Sequence, residues 1–245
     1  TLKADDATGN TTTITQADLT NGVNIIVDNT LPTITSKSLA SNNSTNTLAI
    51  SGNVVTLTFV TSEPIQDLAS GDVTFNDGTA DIADNRVTYT QNGGDNSLTH
   101  TAKFTVAGTD NDGSITATIN VTGITDRAGN AIAGANQTKT GVTIDTTAPA
   151  NSVTVLTILK SDGSSAAKLN DTVRITLTSS EQLQGFDFTF TGPDEVVAAT
   201  EADNGDGTFT YTADHEVTDT SYLGNFSATL TDLGGNTSSI TQANV

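Results

Sequence analysis

The chain of 245 residues contains no cysteine, no methionine and no tryptophan. Without cysteine there is no disulfide, no thiolate metal site and no thiol nucleophile, so stability must come from packing or from hard metals held by oxygen. Basic residues are scarce as well: 9 Lys and Arg stand against 28 Asp and Glu, for a formal net charge of -19. A surface of that sign repels nucleic acid and anionic membranes and attracts cations. No apolar run approaches the roughly 18 residues that span a bilayer, and no charged-then-apolar leader opens the text, so membrane insertion is not expected. Neither GxSxG nor HExxH nor a P-loop phrase occurs, and the many Ser and Thr hydroxyls have no matched base. No catalysis is expected from such a set.

Acidity on this scale can mean disorder, but hydrophobic residues make up 34% of the chain and fall in ordered alternations. "VVTLTFV" (54–60), "HTAKFTV" (100–106), "SITATINV" (114–121), "TVRITLT" (172–178) and "NFSATLT" (225–231) alternate apolar with polar residues or Thr. That period of two predicts strands with one buried face, and no window carries a helical stripe. "NDG", "NGG", "DNDG", "RAGN", "NGDG" and "LGGN" lie between the runs and supply residues that tolerate positive φ. The reading is all-β.

Whole phrases recur. "VDNTLP" (27–32) returns as "IDTTAP" (144–149), "LTFVTSEPI" (57–65) as "ITLTSSEQL" (175–183), and "TDRAGN" (125–130) as "TDLGGN" (231–236), with a third copy, "DDATGN", at 5–10. The fixed order of linker phrase, "SE" and "DxxGN" divides the chain. Residues 1–28 read as the closing strand or strands of an upstream repeat with its linker, 29–145 as one complete unit and 146–245 as a second. "GNTSSITQANV" (235–245) resembles "GNTTTITQADL" (9–19), so the expectation is a slice of a longer tandem array. A strand exchanged between neighbouring molecules, giving a filament, is the bolder alternative.

The ordered set of "DxxGN", "DTTAP" and the "DGTFTYT" run (206–212) resembles the bacterial Ig-like repeats of large cell-surface adhesins, over nearly the whole chain. The chain lacks the Cys pair and core Trp of antibody domains, and its first complete unit is longer than the usual repeat. The resemblance implies tandem Ig-like Greek-key β-sandwiches arranged end to end. It also implies that the B–C and F–G loops of each sandwich sit beside the entering linker. At the first pole that gathers Asp28, Glu63 and Asp126, with Asn29 and Asn130 alongside; at the second, Asp145, Glu181 and Asp232, with Asn236.

Three carboxylates from distant segments repel one another unless a cation neutralises them, and Ca²⁺ accepts six to eight oxygens at flexible geometry. The E–F loop "GTDNDGS" (108–114) of the upstream unit faces the same linker in this arrangement, so Asp110 and Asp112 join the candidate ligands of a shared junction ion. Pro32 and Pro149 fix φ and extend the residue before them, bringing the chain straight into each sandwich. "DxxGN" also reads as a plain turn, since Asp and Asn cap turns and Gly takes positive φ.

Other features carry less. "DNDG" opens like an EF-hand loop but has no Glu at the twelfth position and no flanking helices. "DNGDG" (203–207) reads as the turn before a strand. His100 and His215 are expected at solvated or strand-surface positions, without a catalytic partner. No signature of a Lys–Asn isopeptide is present, and the sequons at Asn43 and Asn136 are of the kind an Asn- and Thr-rich chain makes by chance. The expected role is an extracellular, calcium-rigidified spacer of a surface adhesin, whose partners are calcium ions and adjacent repeats. The alternatives are a surface-layer or strand-exchanged assembly of neighbouring copies, and a glycan- or protein-binding module. Aromatic residues at 4% offer few sugar platforms.

Overall fold

The computed structural model describes residues 2–5, 7–14, 27–92, 96–149, 153–160, 162–164, 167–179, 181–190, 195–218 and 226–241. Among these the regular structure is β, with short 3-10 turns such as Asp84–Arg86. The alternating runs all become strands, because Thr and Val suit a pleated surface and every second side chain finds an apolar neighbour. Val54–Thr61 shows this most plainly, with Val55, Leu57, Phe59 and Thr61 buried and the residues between them half-buried.

The first strands, β1 (Leu2–Asp5) and β2 (Thr11–Ile14), form an antiparallel hairpin. Eight strands make the first sandwich: β3 (Ile34–Ser41), β4 (Leu48–Ala49), β5 (Val54–Thr61), β6 (Val73–Asn76), β7 (Thr88–Asn92), β8 (Thr99–Thr105), β9 (Gly113–Ile119) and β10 (Gln137–Ile144). They divide into sheets β3-β5-β8-β7 and β4-β10-β9-β6, which in immunoglobulin lettering are A-B-E-D and A′-G-F-C. The short β4 runs parallel to β10, as A′ does beside G.

The second sandwich repeats the plan with β11 (Val153–Lys160), β12 (Thr172–Ser179), β13 (Asp187–Phe190), β14 (Glu195–Ala198), β15 (Thr200–Asp203), β16 (Phe209–Glu216), β17 (Phe226–Thr231) and β18 (Thr237–Thr241). Its sheets are β11-β12-β16-β15 and β14-β13-β17-β18, or A-B-E-D and C′-C-F-G. An edge strand thus moves from beside G in the first sandwich to beside C in the second. The architecture is tandem Ig-like, and among the described residues each sandwich has one more strand than the seven of the simplest plan.

Two separate clusters of buried apolar side chains lie between the sheets, one spanning Leu39 to Ile144 and the other Ile175 to Ile240. Phenylalanine rings pack in both clusters, in a chain that has neither Trp nor Cys. Phe75 and Phe104 meet with ring planes tilted by 54° at 4.9 Å between centroids, and Phe186 meets Phe188 edge-on at 4.6 Å. Each such ring contributes roughly 1.5–3 kcal/mol by leaving water.

Candidate metal centres at the sandwich poles

The "DxxGN" phrase folds the same way in the two sandwiches. Pairs Thr125↔Ala131 and Thr231↔Thr237 close it in the two sandwiches, and Asp5↔Thr11 closes the third copy. Inside the turn Asp126 accepts from the Asn130 backbone N–H at 2.8 Å and from its amide at 2.8 Å, while Gly129 bends the chain at φ +95°. Asp232 does the same with Asn236, at 2.9 and 2.8 Å. The Asn amide then donates outward to the backbone carbonyl of the linker Asp: Asn130 to Asp28 O at 3.1 Å and Asn236 to Asp145 O at 2.9 Å. Asn130 and Asn236 are thus latches that tie linker to F–G turn.

The linker Asp is held from its other side as well, since Asp28 accepts from Thr30 N at 2.9 Å and Asp145 from Thr147 N at 3.2 Å. The B–C loop arrives by a bridge of Ile65 to Asp126 in one sandwich and of Leu183 to Asp232 in the other. Its Glu63 backbone is anchored by Thr61, whose hydroxyl donates to Glu63 O at 2.7 Å. The outcome is the same at both poles. Asp28, Glu63 and Asp126 offer oxygens all within 4.8 Å of one another, and so do Asp145, Glu181 and Asp232.

Electrostatics show what this arrangement demands. Burial, then Asp28 and Asp126, push the Glu63 carboxyl above its ordinary range. Burial and then Asp232 are the main causes that drive Asp145 to about 6, with Glu181 and Asp112 adding to the repulsion. Burial alone would raise Asp126 too, but the donors of Asn130, Gly129 and Ala128 outweigh it and keep that carboxylate ionised. Glu63 Oε1 is buried without a hydrogen-bond partner. Hard oxygens, an orphaned buried acceptor and mutual repulsion fit a divalent cation; oxygens on one Ca²⁺, each about 2.3–2.6 Å from it, lie at most about 5 Å apart. The residues that would hold it are the three carboxylates of each pole.

No family model matches the chain, and no curated protein matches it. Among solved structures, bovine butyrophilin overlaps 79% of this chain and 92% of its own at 13% identity and a TM-score of 0.33. A marsupial T cell receptor overlaps 84% of this chain and 100% of its own at 11% identity and a TM-score of 0.28, and a second marsupial T cell receptor chain gives 10% and 0.29. Overlaps this loose carry no argument, and the Ig-like assignment rests on strand order and pairing.

Asp110 and Asp112 lie outside both clusters. Asp110 is taken by Arg86, which donates to its two oxygens at 2.6 and 2.7 Å. Asn111 donates to the buried Asp77 at 2.8 Å, fixing the E–F loop. Asp112 reaches the linker: it accepts from Thr146 N at 2.6 Å, Thr146 Oγ1 at 2.8 Å and Thr147 Oγ1 at 2.6 Å. It therefore clasps the linker beside Asp145 through hydrogen bonds. No sequence motif announces these pairings, which join residues that the fold alone brings together.

The histidines are a correction. Both are buried, His100 at 0% exposure and His215 at 3%. His100 shares its strand face with Ala102 and Phe104, and His215 with Tyr211 and Ala213, all of them buried. The period of two carried that signal. His100 Nε2 lies 3.2 Å from Thr61 Oγ1, its ring packs on Phe59, and burial lowers its pKa. Among the described residues no helix is long and apolar enough to cross a membrane.

Proposed function

We propose that the chain is a non-catalytic spacer of an extracellular, adhesin-like surface protein, in which Ca²⁺ at the sandwich poles stiffens a string of Ig-like repeats. The observation that carries this reading is the duplication of the three-carboxylate cluster from the same three segments, with Glu63 Oε1 buried and unpartnered at the first pole. A turn needs only Asp126 and Asn130; it needs neither Glu63 nor the Asp28 side chain beside it. A bound cation would supply the positive charge that lets all three carboxylates ionise together. The protein's own part is to deliver one carboxylate each from linker, B–C loop and F–G turn, so that the entering chain and two loops of the sandwich share one centre. Flexing the linker then means pulling Asp28 or Asp145 away from that centre.

Affinity for such a site, open to solvent at a module boundary, is expected near 10⁻⁴ to 10⁻³ M, in the range of roughly millimolar extracellular Ca²⁺. The test is small-angle scattering and calorimetric melting of the chain in about 5 mM Ca²⁺, above that range, and in excess chelator. A longer, narrower particle and a higher melting temperature with Ca²⁺ are expected. Identical curves and identical melting overturn the reading and leave the carboxylates as parts of turns.

A further inference from the structure

The tip of a hairpin turn is ordinarily the wettest part of a sandwich, and Arg127, Ala128 and Gly129 at the first F–G turn are all exposed. In the second sandwich the residue that matches Ala128 is Gly234, and it is buried. The cover comes from the C-terminal pole of the first sandwich. Asn43 Nδ2 donates to Gly234 O at 2.7 Å, 191 residues away in the chain. Ile50 lies over the turn so closely that a Cβ on Gly234 would come 3.0 Å from Ile50 Cγ2, and one on Gly235 would come 3.8 Å from Ile50 Cδ1.

The surface that receives the turn is held by contacts within the first sandwich itself. Asn43 also donates to Asn53 Oδ1 at 2.9 Å, and the same oxygen accepts from Ile50 N at 2.9 Å, so one side chain fixes both contact residues. Asp145 N donates to Ala49 O at 2.9 Å, which starts the linker directly beside Ile50. We propose that this pole is a docking surface whose occupant is the F–G turn of the sandwich that follows, and that Gly234 selects that occupant.

Selection follows from size. The first sandwich tolerates a methyl group at the matching place, Ala128, next to its own Asp126 and Asn130, so the turn itself does not require glycine. Gly234 also lacks the positive φ that would demand one, since only its neighbour Gly235, at +102°, has it. A Cβ at 234 would crowd Asp232 Oδ1 at 3.2 Å within the turn and Ile50 Cγ2 at 3.0 Å across the junction; the first turn carries Ala128 beside its own Asp126, so the contact particular to this pole is Ile50. A turn carrying Arg-Ala, as the first sandwich does, would not seat on this pole at the same distance. The repeats of this chain are therefore not interchangeable in order, and the docked geometry is written in protein contacts rather than in the cation site.

The absence of cysteine gives a clean test by spin labels at Lys103→Cys and Glu216→Cys, exposed strand residues of the two sandwiches. The distance distribution between them is measured in chelator, so that no cation contributes. A dominant narrow peak is expected for the parent, and Gly234→Leu should lower the ratio of docked to undocked population about tenfold. Ala128→Leu, the matching change in the first sandwich, should leave the peak intact. Because overpacking can distort a turn, the milder pair Gly234→Ala and Gly234→Ala with Ile50→Ala supplies a second reading: the single change broadens the peak and the double change narrows it again. A distribution that is broad in the parent, that Gly234→Leu leaves unaltered, or that Ile50→Ala does not rescue overturns the proposal. Failure here leaves the Ca²⁺ response of the scattering curves untouched, so the two readings fail separately.

Discussion

The two sandwich poles carry the same three carboxylates and the same Asn latch, yet they differ in what surrounds them. At the first, the F–G turn is exposed and carries Arg127 and Ala128; at the second, Gly234 is buried under Asn43 and Ile50. A second difference lies beneath the B–C loops. Phe59 pairs with His100 across strands β5 and β8, and Leu177, its counterpart, pairs with Tyr211 across β12 and β16. Tyr211 accepts directly from Leu183 N at 2.7 Å, whereas His100 reaches its loop through Thr61. The carboxylate constellation is thus a property of the repeat, while docking and loop support are properties of each copy. Features that recur serve every junction; features that differ decide how one junction behaves.

The largest expected effect tests what the poles share. Asp126→Ala removes the buried carboxylate to which Asn130 and Gly129 donate, at a cost of about 2–3 kcal/mol to the first sandwich. Asp232→Ala should cost the second sandwich about as much, and calorimetry of the two variants should lower a different melting step in each. Asn130 and Asn236 also lose their hold on the linker carbonyl in these variants, so the Ca²⁺ response at that pole should vanish with the same change. Equal loss in both steps from one substitution would mean that the sandwiches unfold as a single cooperative body.

Next comes the repulsion at the second pole. The folded pKa of Asp145, about 6, lies above its ordinary value of 3.8, so its contribution to stability is fully present below pH 3.8 and is lost as pH rises through 6. At pH 7 without Ca²⁺ the ionised group works against the fold. Asp145→Asn should therefore raise the melting temperature in chelator at pH 7, by the equivalent of about 1–2 kcal/mol once solvent screening is allowed for. It should have little effect at pH 4 and should diminish the gain from Ca²⁺. A variant that melts lower than the parent in chelator would show that repulsion does not govern this pole.

A smaller effect separates His100 from Tyr211. Burial depresses the folded pKa of His100. Its neutral form therefore contributes stability above the ordinary pKa of about 6.5, and that contribution is lost as pH falls through the folded value. Melting followed from pH 7.5 to 5 should weaken the first sandwich in a way that His100→Phe abolishes. Tyr211, pushed up to about 12 by burial, stays neutral throughout. An unaltered acid response in His100→Phe would transfer the effect to the carboxylates.

Legibility in the sequence followed the same division between what recurs and what does not. Alternation marked β5 and β12 because one face of each meets the core at every second residue. Asp126, Asp232 and the two linker aspartates stood out because the text repeats them in order, which is how a recurring site becomes visible in one chain. His100 was equally legible in principle, standing two residues before Ala102 and four before Phe104 on the buried face, but polarity suggested the surface. Gly234 was not legible at all. Its burial depends on a residue of the other sandwich, and "LGGN" alone differs from "RAGN" only in ways any turn allows. The strand β4, two residues long, is also below what a period of two can announce.

The smallest predicted effect concerns the acidic loop that the Ig-like arrangement placed among the candidate ligands. Asp110 is held by both of its oxygens on Arg86, with side-chain exposures of 6% and 31%, so the pair is partly shielded and its geometry is bidentate. Asp110→Asn should cost the first sandwich about 1 kcal/mol, since one strong pair becomes a neutral contact and Arg86 stays half-buried. The Ca²⁺ titration of the variant should match that of the parent, because Asp110 stands in neither carboxylate cluster. Asp112→Asn in the same loop keeps an acceptor for Thr146 and Thr147 but removes a charge that raises Asp145, so its effect should appear in the pH dependence of the second pole and not in the first. Loss of Ca²⁺ affinity in Asp110→Asn would instead place the E–F loop in the ion's own shell, and the contrast between recurring ligands and copy-specific supports would have to be redrawn.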